Sequence, residues 1–543
     1  MPDDQVAKND SNTIILSKHT QALLDTFKTA KKRNRPDDIS ALSVSQTVSF
    51  FALVYEKVRN AVEYREDHLI LRASIERILR RRFSLNPDGH SEAENLLREL
   101  LWARYFDNGV LGSEDNMIIQ NLINKYILLR RQLVVGRDGE LRIFLDQFLM
   151  DLLTCEIEET LKPESAQIQA NLTFFLYQVL RKKIKIEGLK EDQKDAYFIV
   201  AIEKVFGKSD RAYLRYHLFT TFYKTLEKHT EVELQNLGSK LPAIFKKIDD
   251  IVSNPYVDNL AKFIRKQLPP FLIFFALIKK SKPDELQIIL TDRERLWNEV
   301  DQTCRDKYQQ LGARVRTLAV RSFIYILLTK MIFAIILEVP VSMYFYGEVN
   351  RNAIIINSIF PAILMIGILG FFKVPGEENT KKIFQRIVDI IDDDKSFETR
   401  VAFVPKKSAP KRPLLIFGFT VFYSLTFLVT LTLIYEFLSN LGFNLVSQVI
   451  FIFFVSVVSF FSYRIRQVTK ELRLEEKASV LSPIVDFFFM PMLSLGKFFS
   501  SEIAKLNFFI FIFDFIIEAP FKLIFEVVEE WISFVKKRKE EII

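Results

Sequence analysis

Cysteine is nearly absent from this chain, with two in 543 residues, Cys155 and Cys304. Two thiols cannot build a disulfide framework, and both lie in charged helical sequence, which suits a reducing compartment. Glycine (16) and proline (18) are too sparse for a collagen-like or low-complexity chain. The five histidines (His19, His68, His90, His217, His229) show no metal-ligand spacing, and they read as surface or capping residues. An excess of one charge is also missing. Lys+Arg number 75 against 67 Asp+Glu, and the resulting +8 is spread over both halves, so no nucleic-acid footprint is expected. The opening MPDDQVAKNDSNT has no apolar stretch, so no cleaved signal peptide is expected and any membrane insertion falls to internal segments.

What the chain does contain is segregated. Up to residue 312 there are 48 Lys+Arg and 45 Asp+Glu; the remaining 231 residues carry 27 and 22, together with nearly all the long apolar runs. A chain of this length exceeds one core, and two or more units are expected. Residues 1–40 read as a polar, disordered tail ending in the basic run Lys31, Lys32, Arg33, Arg35. Residues 41–283 have helical periodicity and read as an all-α cytosolic domain. In it, Arg80-Arg81-Arg82 sit at a helix C-terminus where cations suit the dipole. Ser91 with Glu94 has capping-box spacing, and Val134–Gly139 has turn chemistry compatible with a small hairpin. Leu268–Ile278 is apolar but too short to span, and core is favoured over a dip into the membrane surface. Residues 284–320 read as one charged connecting helix.

Four runs reach spanning length: Phe323–Tyr346, Ala353–Phe372, Leu414–Tyr435 and Phe443–Tyr463. In hydrocarbon each must be helical, because every backbone amide has to be satisfied within the segment. The connection 373–412 carries ten Lys or Arg, whereas 347–352 has only Arg351 and 436–442 has none. Two hairpins (321–372 and 413–463) flanking a basic cytosolic loop follow, with both termini inside and the plasma (inner) membrane as the expected location. Within the loop, Thr380–Ile391 is amphipathic and Phe397–Val404 alternates like a short strand. Residues 464–543 read as amphipathic helices on the membrane surface, since Pro483, Asp486, Pro491, Lys497, Asp514 and Pro520 interrupt their apolar runs.

Candidate chemistry is sparse. Gly207-Lys208-Ser209 ends like a phosphate-binding loop, but Ile202 stands where the first glycine belongs. Asp389, Asp392, Asp393 and Asp394 read as a solvated acidic loop rather than a cation site, and no metal or cofactor is expected. Lys330 and Glu338 are the intramembrane candidates, because charge in a span is costly and often functional. Eight helical residues place them about 12 Å apart and roughly 80° around the axis, too far for a direct pair. Asn357, Ser424, Thr426, Thr430, Ser447 and Gln448 offer interhelical hydrogen bonds, and Pro361, Gly367 and Gly370 permit a kink or close packing in the second span. Near the end, Asp514, Glu518, Lys522, Glu526 and Glu530 recur every fourth residue as a polar stripe, either the wet edge of an in-plane helix or a docking face for a partner. The expected function is non-enzymatic: a multi-pass scaffold or adaptor acting through its helical domain, with the bilayer and a protein partner or second copy as its contacts. The alternative is a small oligomeric transporter or channel using Lys330 and Glu338.

Overall fold

A computed structural model of the chain describes residues 13–28, 41–63, 67–137, 139–181, 184–186, 191–347, 350–370, 374–392, 402–404, 413–474, 482–505 and scattered positions from 524 to 539. The basic run at 31–35, Asp393 and Asp394, most of the loop before residue 413 and the apolar run 508–517 lie outside these residues. The fold is all-α. It forms two compact units, a helical body built on Lys18–Ile264 with Thr399–Val404, and an apolar unit built on Arg265–Glu398 and Pro405–Asn507 with the N-terminal seventeen residues.

The helical body contains α1 (Lys18–Lys28), α2 (Gln46–Glu63), α3 (Ile70–Leu85), α4 (Glu92–Trp102), α5 (Ser113–Leu133), α6 (Gly139–Leu161), α7 (Pro163–Arg181), α8 (Glu191–Ile202), α9 (Arg211–Phe222), α10 (Glu231–Gly238) and α11 (Leu241–Val252). Its hub is α6, which packs against α3, α5 and α9. A helix enclosed on several sides needs no wet face, and from Phe148 to Glu158 every residue of α6 is buried. Phe148 stacks on Phe245 of α11 at 4.0 Å, and Phe219 of α9 meets the same ring edge-on. The strand-like alternation near residue 400 is real. β2 (Ala402–Val404) pairs in parallel with β1 (Ile184–Ile186), with Lys185 opposite Phe403.

The apolar unit begins within α12 (Pro255–Lys280), whose Phe271, Phe274 and Ile278 are buried, in keeping with core rather than membrane surface. Next come α13 (Pro283–Thr291), α14 (Arg293–Phe333), α15 (Val339–Tyr346), α16 (Arg351–Gly370), α17 (Glu377–Ile391), α18 (Pro413–Asn440), α19 (Leu445–Thr469) and α20 (Ser482–Lys505). Among the described residues, three helical stretches are long and apolar enough to cross a membrane: Arg293–Tyr346, Pro413–Asn440 and Leu445–Tyr463. Arg351–Gly367 is apolar but shorter. In α18 apolar side chains stand exposed around the helix, Leu414 at 87%, Phe417 at 69% and Leu428 at 63%.

Several sequence expectations are corrected. The tail is ordered from Thr13 to Lys28. Ile14 and Leu16 are buried, Thr13 and Leu16 bridge to Asp292 and Asp392, and Leu23 and Leu24 of α1 enter the core of the helical body. An apolar triplet, Ile14-Ile15-Leu16, outweighs its polar surroundings. The Ser91 capping box does not form, because Ser91 adopts a left-handed conformation (φ 62°) and its hydroxyl makes no cap bond. Val134–Val135 form no hairpin; they turn out of α5 instead, with Gly136 at φ +80°. The charged connector is two helices, broken at Asp292, whose carboxylate accepts from Glu294 N and Arg295 N and so starts α14 afresh. In the region read as surface helices, α20 packs extensively on α19.

Below the apolar stretches, α17 buries Ile383, Ile387, Val388 and Ile391 against α14, with Trp297 edge-on to Phe384 at 5.1 Å. Asn379 pins this arrangement. Its Nδ2 donates to Tyr308 Oη (2.8 Å) and Leu472 O (2.9 Å), while its Oδ1 accepts from Leu474 N (3.0 Å). Asn379→Ala leaves three groups without that partner and should cost about 1–3 kcal/mol. The check is the chemical denaturation midpoint of the detergent-solubilised protein, with Lys381→Ala, on the exposed face, as the unaffected control.

Candidate functional site: a buried polar cluster among apolar helices

Lys330 and Glu338 meet. Between α14 and α15 the helix widens into a π segment, Ala334–Glu338, in which Val339 N donates to Ala334 O. Pro340 supplies the local cause: it has no N–H to return to Ile336 O, and its ring crowds that carbonyl, so the regular ladder cannot continue. The π turn absorbs one extra residue. Eight positions then act like seven, which brings the pair to within about 20° of one face. Lys330 Nζ lies 2.8 Å from Glu338 Oε2, and both side chains have zero exposure. The earlier estimate, made for an unbroken α-helix, is overturned by this turn.

Two further helices close the cluster. Asn357 of α16, itself fully buried, donates through Nδ2 to Glu338 Oε1 (2.7 Å) and to Ser447 O of α19 (3.1 Å). Phe454 of α19 places its ring 5.0 Å from Lys330 Nζ, so the ammonium faces a carboxylate and an aromatic π surface. Gln448 is held by Ser439 Oγ and Phe443 O. Three buried acceptors here have no hydrogen-bond partner among the described residues: Ser342 Oγ, one turn beyond Glu338, Asn357 Oδ1 and Gln448 Oε1. The cluster thus combines a neutralised ion pair, an amide clamp and unused lone pairs.

The helical body has a polar centre that the sequence reading missed. An open cavity of about 530 Å³ is lined by Arg72, Glu76, Gln147, Asp151, Arg211 and Arg215, with Phe144 at its wall. Its charges are matched: Arg72 to Glu76 (3.0 Å) and Asp210 (2.5 Å), Arg215 to Asp151 and Asp249 (each 2.7 Å). Arg215 also lies 4.9 Å from the Phe148 ring centroid. Behind it, half-buried His217 sits between Glu159 (3.2 Å) and Glu203 (3.3 Å). Burial pulls the imidazolium down, but the two carboxylates outweigh it and hold its pKa at about 10. Burial pushes the Glu156 carboxyl up to about 7 against the Leu226 and Glu227 amides that bind it. The signal was present in the sequence as an Arg72/Glu76 pair at helical spacing and as acids on the apolar α6.

Of the other sequence candidates, the phosphate-loop resemblance does not form a site, and the acidic stripe lies mostly outside the described residues. Gly207 closes a second π segment, Glu203–Gly207, followed by Lys208 at φ 50°, and the Ser209 hydroxyl donates to Glu203, so no phosphate cradle is present there. Of the acidic stripe, Glu530 is helical and exposed, whereas Asp514, Glu518, Lys522 and Glu526 lie outside the described residues. The chain matches no known protein-family model, no curated protein and no solved structure.

Two outcomes follow. Lys330→Leu or Glu338→Leu alone strands its buried partner and should cost about 3–5 kcal/mol, whereas the double Leu variant should recover most of that loss. Thermal denaturation in detergent, read as a double-mutant cycle, checks it. The pH dependence has a definite sign. The pKa of His217 is raised from 6.5 to about 10, so its stabilisation is complete below pH 6.5 and disappears as pH climbs through 10. Glu156, raised from 4.5 to about 7, adds a decline between those values. Relative to the wild type, His217→Gln should lose stability at pH 6–8 and converge with it above pH 10 in melting curves of the full-length protein.

Proposed function

We propose that the chain is a multi-pass membrane protein whose helical body is a docking platform and whose apolar helices anchor and order it. The observation that carries this reading is a contrast in openness. The charges within the first apolar helix neutralise each other at zero exposure, whereas the open polar cavity lies in the helical body. Anchoring is supported by the exposed apolar surface of α18, which water solvates poorly and hydrocarbon tolerates. Four crossings, by Phe323–Tyr346, α16, α18 and α19, agree with the Lys/Arg asymmetry of the connections and keep the basic segment 373–412 on the cytoplasmic face.

A second reading, transport by an oligomer, is favoured by one specific feature: the unpartnered Ser342 Oγ and Asn357 Oδ1 beside Glu338. Buried lone pairs next to a carboxylate are what a small cation or a water chain requires. The two readings separate on the paired variant. For a platform, Lys330→Leu/Glu338→Leu leaves the partners cross-linked in native membranes unchanged, and the purified protein moves no ions in liposomes. Flux through the wild type that vanishes in the paired variant installs transport instead. Tags at positions 349 and 440 are expected to react with an impermeant reagent on intact cells; reaction only after lysis removes the four-crossing topology.

A further inference from the structure

We infer that α20, Ser482–Lys505, is itself a membrane-crossing helix, antiparallel to α19, so that the chain enters it on the cytoplasmic face and leaves Lys505 on the other. This rests on the reading of α19 as a span, and the test below separates the two.

The register is set by several contacts. Phe499 meets Phe453 at 4.9 Å, Met492 Sδ accepts from Ser456 Oγ at 3.5 Å, and Gly496 lies against Ser456 and Phe460. Phe453 meets Phe499, whereas the later residues Ser456 and Phe460 meet the earlier residues Met492 and Gly496, which is the antiparallel sense. α18 also touches α20, with Phe422 stacked on Phe487 (5.2 Å) and Tyr423 Oη hydrogen-bonded to Ser494 Oγ (2.8 Å). The contacts with α19 extend from Met492 to Phe499, about 10 Å along the axis, and among the described residues no other pair of helices packs together as extensively. A helix lying in the membrane plane crosses a spanning helix at one level and shares little length with it, unlike this pair.

Depth follows from the partner. Phe453, Ser456 and Phe460 lie in the middle and inner half of the apolar stretch Leu445–Tyr463, so their contacts on α20 sit within the hydrocarbon layer rather than at its edge. The 24 residues of α20 reach about 36 Å, more than the ~30 Å of hydrocarbon. Gly496 makes the approach possible: a Cβ there would lie 2.1 Å from Ser456 O and 2.7 Å from Phe460 Cβ. Close backbone packing of this kind holds helices together in lipid, where apolar surface gains nothing by leaving the bilayer. Among the described residues of α20, Phe489, Met490, Ser494, Lys497 and Phe498 are exposed, so its outward face offers lipid three large apolar side chains and one ammonium on a flexible apolar stem.

The test uses single cysteines in the full-length protein, with Cys155 and Cys304 replaced by alanine. Asn440→Cys, Ser479→Cys and Asn507→Cys are labelled with an impermeant maleimide before and after permeabilisation. A crossing α20 makes Asn507→Cys label like Asn440→Cys and opposite to Ser479→Cys. If Asn507→Cys and Ser479→Cys label together while Asn440→Cys differs, α19 crosses and the inference about α20 falls. If Asn440→Cys and Ser479→Cys label together, the crossing of α19 itself is overturned. A second measurement bears on the packing. Gly496→Ala should lower the apparent melting temperature, whereas Gly367→Ala, with open space around its Cβ position, should not. Equal melting temperatures for both would dissolve the register on which the crossing depends.

Discussion

The apolar unit depends on one buried ion pair whose formation is a matter of helix geometry. Lys330 and Glu338 are each too costly to leave alone in a low-dielectric interior, and eight residues of regular α-helix would keep them on different faces. The Pro340-induced π turn removes that mismatch. Once paired, the carboxylate has a lone pair left over, which Asn357 takes while also reaching the backbone of α19. A local irregularity in one helix is thereby converted into a contact among three. The same pair explains why Phe454 is placed where it is, since an ammonium with one carboxylate partner is further stabilised by an aromatic face.

The helical body obeys the same constraint by different means. Its buried charges lie in extended chains rather than a single pair, from Arg72 through Glu76 and Asp210, and from Arg215 through Asp151 and Asp249. Glu99, fully buried on α4, is held by Arg81 and Arg82 together. The basic triplet ending α3 thus does more than complement a helix dipole; two of its members neutralise an acid in the core. The cavity opens beside these chains, so solvent partly screens them. The pair in the apolar unit has no such access.

Much of this architecture was legible in the sequence. Runs of apolar residues with no charge dictate helices of known length, and amphipathic periodicity in Thr380–Ile391 foretold the buried face of α17. The all-α character, the short strand at 402–404 and the core role of Leu268–Ile278 follow from the same periodicities. What stayed hidden depended on contacts between segments distant in sequence, or on departures from ideal helix geometry. Lys330 and Glu338 were visible as candidates, yet their pairing was not, because spacing arithmetic assumes 3.6 residues per turn and Pro340 breaks that assumption. The cavity of the helical body joins residues 72, 151 and 215, whose relation no local pattern encodes. The ordering of Thr13–Lys28 was masked by averaging: three apolar residues in a polar tail do not move a window mean, yet Ile14 and Leu16 are buried and two isolated backbone bridges hold the segment.

The treatment of α20 shows where hydropathy ceases to be a guide. Asp486, Pro491 and Lys497 lower its mean hydropathy and argue for a surface helix when each residue is weighed against lipid alone. A helix in a bundle does not meet lipid alone. Pro491 and Met492 are buried in the protein and Gly496 lies against Ser456, so this face of the helix is turned to its neighbours. The free energy that matters is that of the packed pair, in which small residues bring backbones close and the hydroxyl of Ser456 finds a thioether instead of an empty space. On that reckoning a moderately polar helix joins an apolar bundle as readily as an apolar one, provided its partner is already there. If α19 spans as proposed, its charge-free stretch Leu445–Tyr463 can stand in lipid first, and α20 then has a surface to follow.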